Sequence, residues 1–365
     1  MLRASPCTVA LLCLPVWAQV AAIQGTVEDE DHRPLGGVSV RIEGQDVYAL
    51  RTDVDGTFVF RSLAAGAFRV LCEADPASVI EVQARSAETA VVKLTCTGFG
   101  IPQSDREILD RVSADLEGDA KRQLAEFEQT WQKGPFDWES LNKVIEAGGA
   151  DRLKELRDRW RRAIEDTFDE GKAAAGAKDY RTAVARFHRV LVRYPGAAVA
   201  WAWVADCYAK LGWLAPAQDA YAKAVQLKPE DASLRNNYGL VLARSGKLEG
   251  ALTQINEAVR LDPAGGGRYF YNLGAILVNS GHSLEAREAF RRAVDSDPNY
   301  ADAHYQYAVS LAQSVGEDLR DKVREEMREE LLAYLRLAPN GQHAKDARKM
   351  LQALRRLFLL DEPSA

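Results

Sequence analysis

The chain has 365 residues, enough for two or three domains at roughly 150 residues each. Its composition, 47% hydrophobic and 27% charged, is that of a packed globular protein and excludes wholesale disorder, collagen and a polytopic membrane protein. The net charge of −6 argues against general nucleic-acid binding, which needs a basic stripe to displace counterions from phosphates.

The chain opens with Arg3, a short apolar run from Cys7 to Val16, and the ending Val16-Trp17-Ala18. This is the layout of a secretory signal peptide over residues 1–18, and it predicts cleavage near Ala18 and a periplasmic or secreted protein. About ten apolar residues are too few to cross the roughly 30 Å of a bilayer core. Leu12 before Cys13 is too large for a lipoprotein signal. No later stretch approaches about 18 uninterrupted apolar residues, so no transmembrane segment is expected after signal removal.

Residues 19–96 alternate apolar and polar side chains, with Gly, Pro and Asp between short runs, which predicts β-strands. Val38, Val40 and Ile42 line one strand face and Phe58 and Phe60 another. Asp55-Gly56 before Phe58 suits a tight hairpin. Asp53 and Asp55 read as turn residues rather than calcium ligands, and Glu28-Asp29-Glu30-Asp31 as a solvated loop. Cys72 alternates with Phe68 and Val70, and Cys96 with Val92 and Leu94, so both face one core, either as a disulfide or as two buried thiols. The runs Ile23 to Val27, Pro34 to Val40, Thr52 to Phe58 and Gly66 to Val70 resemble the carboxypeptidase regulatory-like family. That resemblance implies a seven-stranded, transthyretin-like β-sandwich without a catalytic constellation of its own.

A linker at 97–104, Thr97-Gly98-Phe99-Gly100-Ile101-Pro102 at its heart, ends the strand pattern. A helical connector at 105–163 follows. Ile108, Val112, Leu116, Leu124, Phe127 and Trp131 predict one amphipathic helix, and Leu141, Val144 and Ile145 a second between Asp137 and Gly148. Leu153, Leu156, Trp160 and Ile164 predict a third.

From about Ile164 the chain repeats itself. Pro195, Pro229, Pro263 and Pro298 are 34, 34 and 35 residues apart. Twelve residues before each proline stands Ala183, Ala217, Ala251 or Ala286, and eight before stands Phe187, Tyr221, Ile255 or Phe290. Twenty-four before stands Gly171, Ala205, Gly239 or Gly274. Small residues let two helices approach, the large one fills the space between them, and the proline stops the second helix. The pattern resembles the tetratricopeptide repeat, a helix-turn-helix of about 34 residues, and implies an all-α solenoid over 164–342 with four clear repeats and a divergent fifth. Seven extra residues are expected around Gly316 to Arg328 as a longer charged helix, since Pro339 lies 41 residues after Pro298. A helix at 343–359 would cap the stack.

In such a stack the first helices line one face, so residues one repeat apart form rows. One row reads Asp169, Trp203, Asn237, Asn272 and Gln306. Beside it stand Tyr271 and Tyr305, then Lys172 and Asp206, then Lys210, Arg244 and Asn279. The resemblance implies that asparagines at this place bond the backbone of an extended peptide, and Asn237 and Asn272 match it. An amide can donate and accept at once, which suits a backbone of any sequence. The same side chains would equally serve as ordinary helix packing, Tyr271 and Tyr305 above all. Ile164 to Ala365 carries 27 acidic and 27 basic side chains, so the net charge lies wholly before it.

Catalytic signals are lacking. The five histidines show no paired metal-binding spacing, His282-Ser-Leu-Glu285 falls in a turn between helices, and no nucleophile elbow or phosphate-binding loop is present. The sequence thus predicts a non-enzymatic protein without cofactor or metal, built as an all-β sandwich followed by the solenoid. Its expected partner is a protein or peptide in the groove. The alternative is a cell-envelope polymer or an envelope assembly contacted by the sandwich.

Overall fold

The computed structural model describes residues 20–29, 32, 34–53, 55–97, 103–133, 138–146, 151–313 and 321–360. The signal-like stretch 1–18, Asp137 and Gly148 lie outside them. The chain divides into two compact units, Met1–Arg157 and Asp158–Ala365.

The first unit begins with seven strands: β1 (Ala21–Glu28), β2 (Ser39–Glu43), β3 (Val47–Arg51), β4 (Thr57–Leu63), β5 (Gly66–Cys72), β6 (Asp75–Ala84) and β7 (Thr89–Thr95). They form a three-stranded sheet in the order β4-β1-β7 and a four-stranded sheet in the order β3-β2-β5-β6. β1 runs antiparallel to β4 and parallel to β7. Period-two alternation puts Ile23, Val40, Ile42, Val70 and Leu94 in the core, each at most 1% exposed. Cys72 at the end of β5 and Cys96 just after β7 are bonded as a disulfide with Cα atoms 6.3 Å apart. The bridge therefore ties one sheet to the other.

Two expectations need correcting here. Asp55-Gly56 is not a hairpin, because β3 and β4 belong to different sheets; the turn carries the chain across the sandwich. Gly56 is required there, with φ of +71° and the site of its absent Cβ 2.5 Å from the Val27 carbonyl oxygen. Nor are Glu28 and Asp29 a solvated loop. Both are buried, and Glu28 ends β1 paired to Lys93 at 2.8 Å and to His32 at 2.8 Å, which hold its carboxyl below the usual range.

After the sandwich in sequence the expected first helix is two, α1 (Gln103–Asp115) and α2 (Gly118–Lys133), broken where Gly118 adopts φ of +58°. α3 (Trp138–Glu146) packs on α2. α4 (Asp151–Gly176) then runs 26 residues without a break, so the third connector helix and the first helix of the repeats are one element.

The repeats alternate first and second helices: α5 (Tyr180–Arg193), α6 (Ala198–Lys210), α7 (Leu214–Leu227), α8 (Ala232–Arg244), α9 (Leu248–Leu261), α10 (Gly266–Asn279), α11 (Ser283–Ser296), α12 (Ala301–Gln313) and α13 (Asp321–Leu337). A last helix, α14 (Ala344–Leu360), packs on α13. Phe187, Tyr221, Ile255 and Phe290 are each at most 1% exposed. A Cβ on Gly171, Gly239 or Gly274 would stand 2.7, 2.9 or 2.6 Å from Phe187, Ile255 or Phe290 respectively, so the small residues exist to admit the large ones. The residue before each proline, Tyr194, Lys228, Asp262 or Asp297, is a C-cap whose N–H bonds the carbonyl of Val190, Ala224, Ala258 or Ala293. The backbone there leaves the helical region, with φ between −134° and −141° and ψ between 74° and 90°, as a following proline demands. Gly265 closes a short 3-10 turn, and Gly266 and Gly267 begin α10 against α9 and α11. In the fifth unit the second helix, α13, has 17 residues against 14 in its predecessors, and 314–320 lie outside the described residues.

Candidate first-helix groove

Small residues at Ala205, Gly239 and Gly274 bring each second helix close enough for its large buried side chain to reach the neighbouring first helices. Tyr221 on α7 shows the result. Its hydroxyl donates to the Asp206 carboxylate on α6 and stands within hydrogen-bonding reach of Asn237 on α8. The Asn237 carbonyl oxygen in turn accepts from the Asn236 amide at 2.9 Å. Burial, with the facing Asp206 charge, raises the Tyr221 pKa, so this phenol stays a donor.

Asp206 is reached by solvent yet ringed by protein. That crowding raises its pKa against the opposing pull of Tyr221, Lys210 and Arg244. Lys210 and Arg244 are exposed, come from successive first helices, and have no ion-pair partner among the described residues. Cys207 next door is buried, its thiol pushed up to about 12 by burial and by Asp206, and is thus inert.

Farther along, Tyr271 on α10 packs against Phe290 and Tyr300, with ring centroids 5.7 and 5.0 Å away. Gln306 on α12 reaches its hydroxyl. Asn272, half-buried beside it, has no hydrogen-bond partner among the described residues. Asn279 is exposed at the end of α10. Tyr305 is covered from α13 and the turn after it: it stacks on His343 at 4.1 Å and meets Tyr334 at 5.4 Å. At the other end Asp169 and Lys172 on α4 pair with each other at 2.6 Å, and Lys172 lies over the Phe168 ring. Trp203 stacks on Phe187 at 5.6 Å.

The predicted rows are thus in three conditions. Asp206, Lys210, Asn237 and Arg244 meet around Tyr221. Tyr271, Asn272 and Gln306 form a second cluster. Asp169, Lys172, Trp203 and Tyr305 are engaged with neighbours of their own. Sequence reasoning missed Tyr221, whose ring is core but whose hydroxyl is at the site, and His304, buried on α12 beside Tyr305 in sequence. His304 Nδ1 bonds the Glu330 carboxylate and Nε2 the Pro298 carbonyl at 2.9 Å. With the Glu330 carboxylate and the Pro298 carbonyl both accepting, both ring nitrogens donate; burial opposes the charge, but the two hydrogen bonds raise the His304 pKa above the ordinary value. Among the described residues no group of three or more His, Cys, Asp or Glu side chains could hold a metal ion, and no helix is long and apolar enough to cross a membrane.

Residues 22–96 match the carboxypeptidase regulatory-like domain, and residues 168–215, 214–266 and 271–341 match the tetratricopeptide repeat. The chain carries a carboxypeptidase regulatory-like domain followed by tetratricopeptide repeats. Over 81 residues the repeats are 32% identical to Small glutamine-rich tetratricopeptide repeat-containing protein 2 of Mycosarcoma maydis, covering 22% of this chain and 23% of that one. Over 84 residues they are 37% identical to Tetratricopeptide repeat protein 36 of Xenopus tropicalis, covering 22% and 42%. The matches thus span less than half the length of these relatives. Among solved structures the array is similar to YrrB, described as a TPR protein with an unusual peptide-binding site, at 24% identity and a TM-score of 0.38 over 52% of this chain and 97% of that one. It is also similar to PilW, a type IV pilus biogenesis factor, at 18% identity and a TM-score of 0.39 over 56% and 95%.

Proposed function

We propose that the protein is an exported, non-catalytic interaction scaffold whose tetratricopeptide array holds an extended segment of a protein partner along its first helices. The observation that carries this reading is a line of polar groups on consecutive first helices, Lys210, Arg244 and the Asn272 amide, that make no ion pair or hydrogen bond among the described residues. Each stands beside a satisfied neighbour, Asp206, Asn237 or Tyr271, and its bonding capacity is open; Asn272, short and half-buried, loses the least entropy on binding. Asn237 serves chiefly to fix Tyr221, and Asn272 is the residue placed to bond a ligand backbone. Export rests on residues 1–18 and on a disulfide in the sandwich, which suits an oxidising compartment.

The test is photo-crosslinking from position 272 in cells, followed by titration of the captured partner against purified protein. Asn272→Ala with Arg244→Ala should weaken binding by about tenfold or more, the worth of two lost hydrogen bonds. Binding untouched by the pair, or retained by a variant lacking the array, would move the partner to the sandwich and end the proposal. N-terminal sequencing of the cell-envelope form should begin near residue 19; an intact Met1 would remove export.

A further inference from the structure

The gaps between successive second helices are closed differently along the array. Between α7 and α9, Tyr238 rises from α8, packing against the core on both sides, and Lys247 donates to Gln218 across the gap at 2.6 Å. Between α11 and α13, Tyr307 at the equivalent place on α12 bonds Glu326. Between α9 and α11 the equivalent residue is Leu273, and the smaller side chain leaves the gap open. The result is a pocket of about 310 Å³ with Leu273 and Leu277 as floor, Leu248 and Leu252 as one wall, and Leu284 and Ala289 as the other.

Two features say what fits. Leu284 is 63% exposed and Leu252 39% exposed at the rim, where the preceding repeat has Glu249 and Gln218 in their places, so the rim itself is apolar. The rim charges are unequal. Glu288 is paired with Arg291 at 2.7 Å, and Arg292 is held by Asn256 at 2.6 Å over the Phe270 ring. Glu285 has neither an ion pair nor a hydrogen bond among the described residues.

We infer that this notch is a second docking site, separate from the first-helix groove, for a protein segment that inserts one leucine- or phenylalanine-sized side chain and presents a lysine or arginine to Glu285. Burying such an anchor removes apolar area on both sides from water, and the cation completes the one open charge. A random peptide library displayed on phage and selected on the full chain tests it. Enriched peptides should carry Leu, Met or Phe within a helical turn of Lys or Arg. Their affinity should fall about tenfold or more in Leu273→Tyr, which restores the side chain of the adjacent repeats, and in Glu285→Lys. Leu284→Glu, on an exposed side chain, gives the same readout without touching the core. Asn272→Ala should leave these peptides bound. Three results would overturn the inference: no enriched pattern, peptides indifferent to Leu273→Tyr and Leu284→Glu, or a dimer in sedimentation that Leu273→Tyr dissolves, which would make the occupant a second copy.

Discussion

The sandwich and the repeat array solve the same burial problem in opposite ways. In the sandwich, residues far apart in sequence close on one another: Cys72 on Cys96, and Arg41 on Glu73 at 2.9 Å with Ser39 bonding the same carboxylate. β1 pairs with β4 and β7, and β2 with β5, so each sheet is joined by strands distant in sequence. In the array, Gly171 meets Phe187, Gly239 meets Ile255 and Gly274 meets Phe290, each pair within 16 residues. Contacts of the second kind add up unit by unit, whereas those of the first stand or fall together.

The contrast breaks most sharply at the disulfide. Cys72→Ala with Cys96→Ala should destabilise the sandwich by about 3 kcal/mol in the chain-entropy model, and hydrogen exchange should speed up across β1 to β7 while α5 to α11 keep their protection. Equal loosening of both regions would show that they unfold as one.

A middling effect is expected at His304, where the array uses a buried ion pair of the sandwich's kind. Burial acts to lower its pKa, but the hydrogen bonds to Glu330 and to the Pro298 carbonyl and the Glu330 charge outweigh it, and the pKa lies above the ordinary value. Arg336 opposes the shift weakly. A raised pKa means stability fully present below the unfolded value near 6.5 and lost as pH climbs through the folded value. His304→Gln should therefore cost about 2 kcal/mol at pH 6, in the range for charge-assisted hydrogen bonds, and less at pH 9. Urea titrations at the two pH values decide it, and a pH-independent difference would refute the doubly donating ring.

The smallest effect concerns a turn. Gly212, Gly246 and Gly281 hold φ of +80°, +78° and +79° between paired helices, and Lys178 holds +64° at the equivalent place before α5. Lys178→Gly should raise the stability of the first repeat by up to about 1 kcal/mol, because relief of the left-handed strain exceeds the added chain entropy. A thermal midpoint unchanged or lowered would count against the equivalence of the four turns.

What the sequence made legible follows the same division. Gly239 and Ile255 were readable because the same pair recurs a repeat away, so register alone exposes their roles. Asp55-Gly56 was misread because the turn's backbone needs are local, whereas the choice between pairing β3 with β4 and crossing to the other sheet is made by distant strands. Glu28 was misread for the same reason, its partner Lys93 lying on β7. In the groove, Asn237 was legible as a first-helix residue but not as a ligand of Tyr221, since its row states a face and not a bond. The apolar notch did leave a signal, Leu273 in a column with Tyr238 and Tyr307, visible only when the repeats are compared by what differs.

The matching C-caps before Pro195, Pro229, Pro263 and Pro298 allow the array to change length. Each junction ends a unit with the same backbone and the same carbonyl bonded, so excising everything between two such prolines rejoins equivalent ends. Gain or loss of a whole proline-to-proline unit of 34 or 35 residues preserves the stack, whereas a cut within a helix shifts the residues after it around the axis and turns their buried face outward. The prolines act as joints at which the protein can be lengthened or shortened without being redesigned, and the irregular fifth unit, 41 residues to its proline, marks where that interchangeability stops.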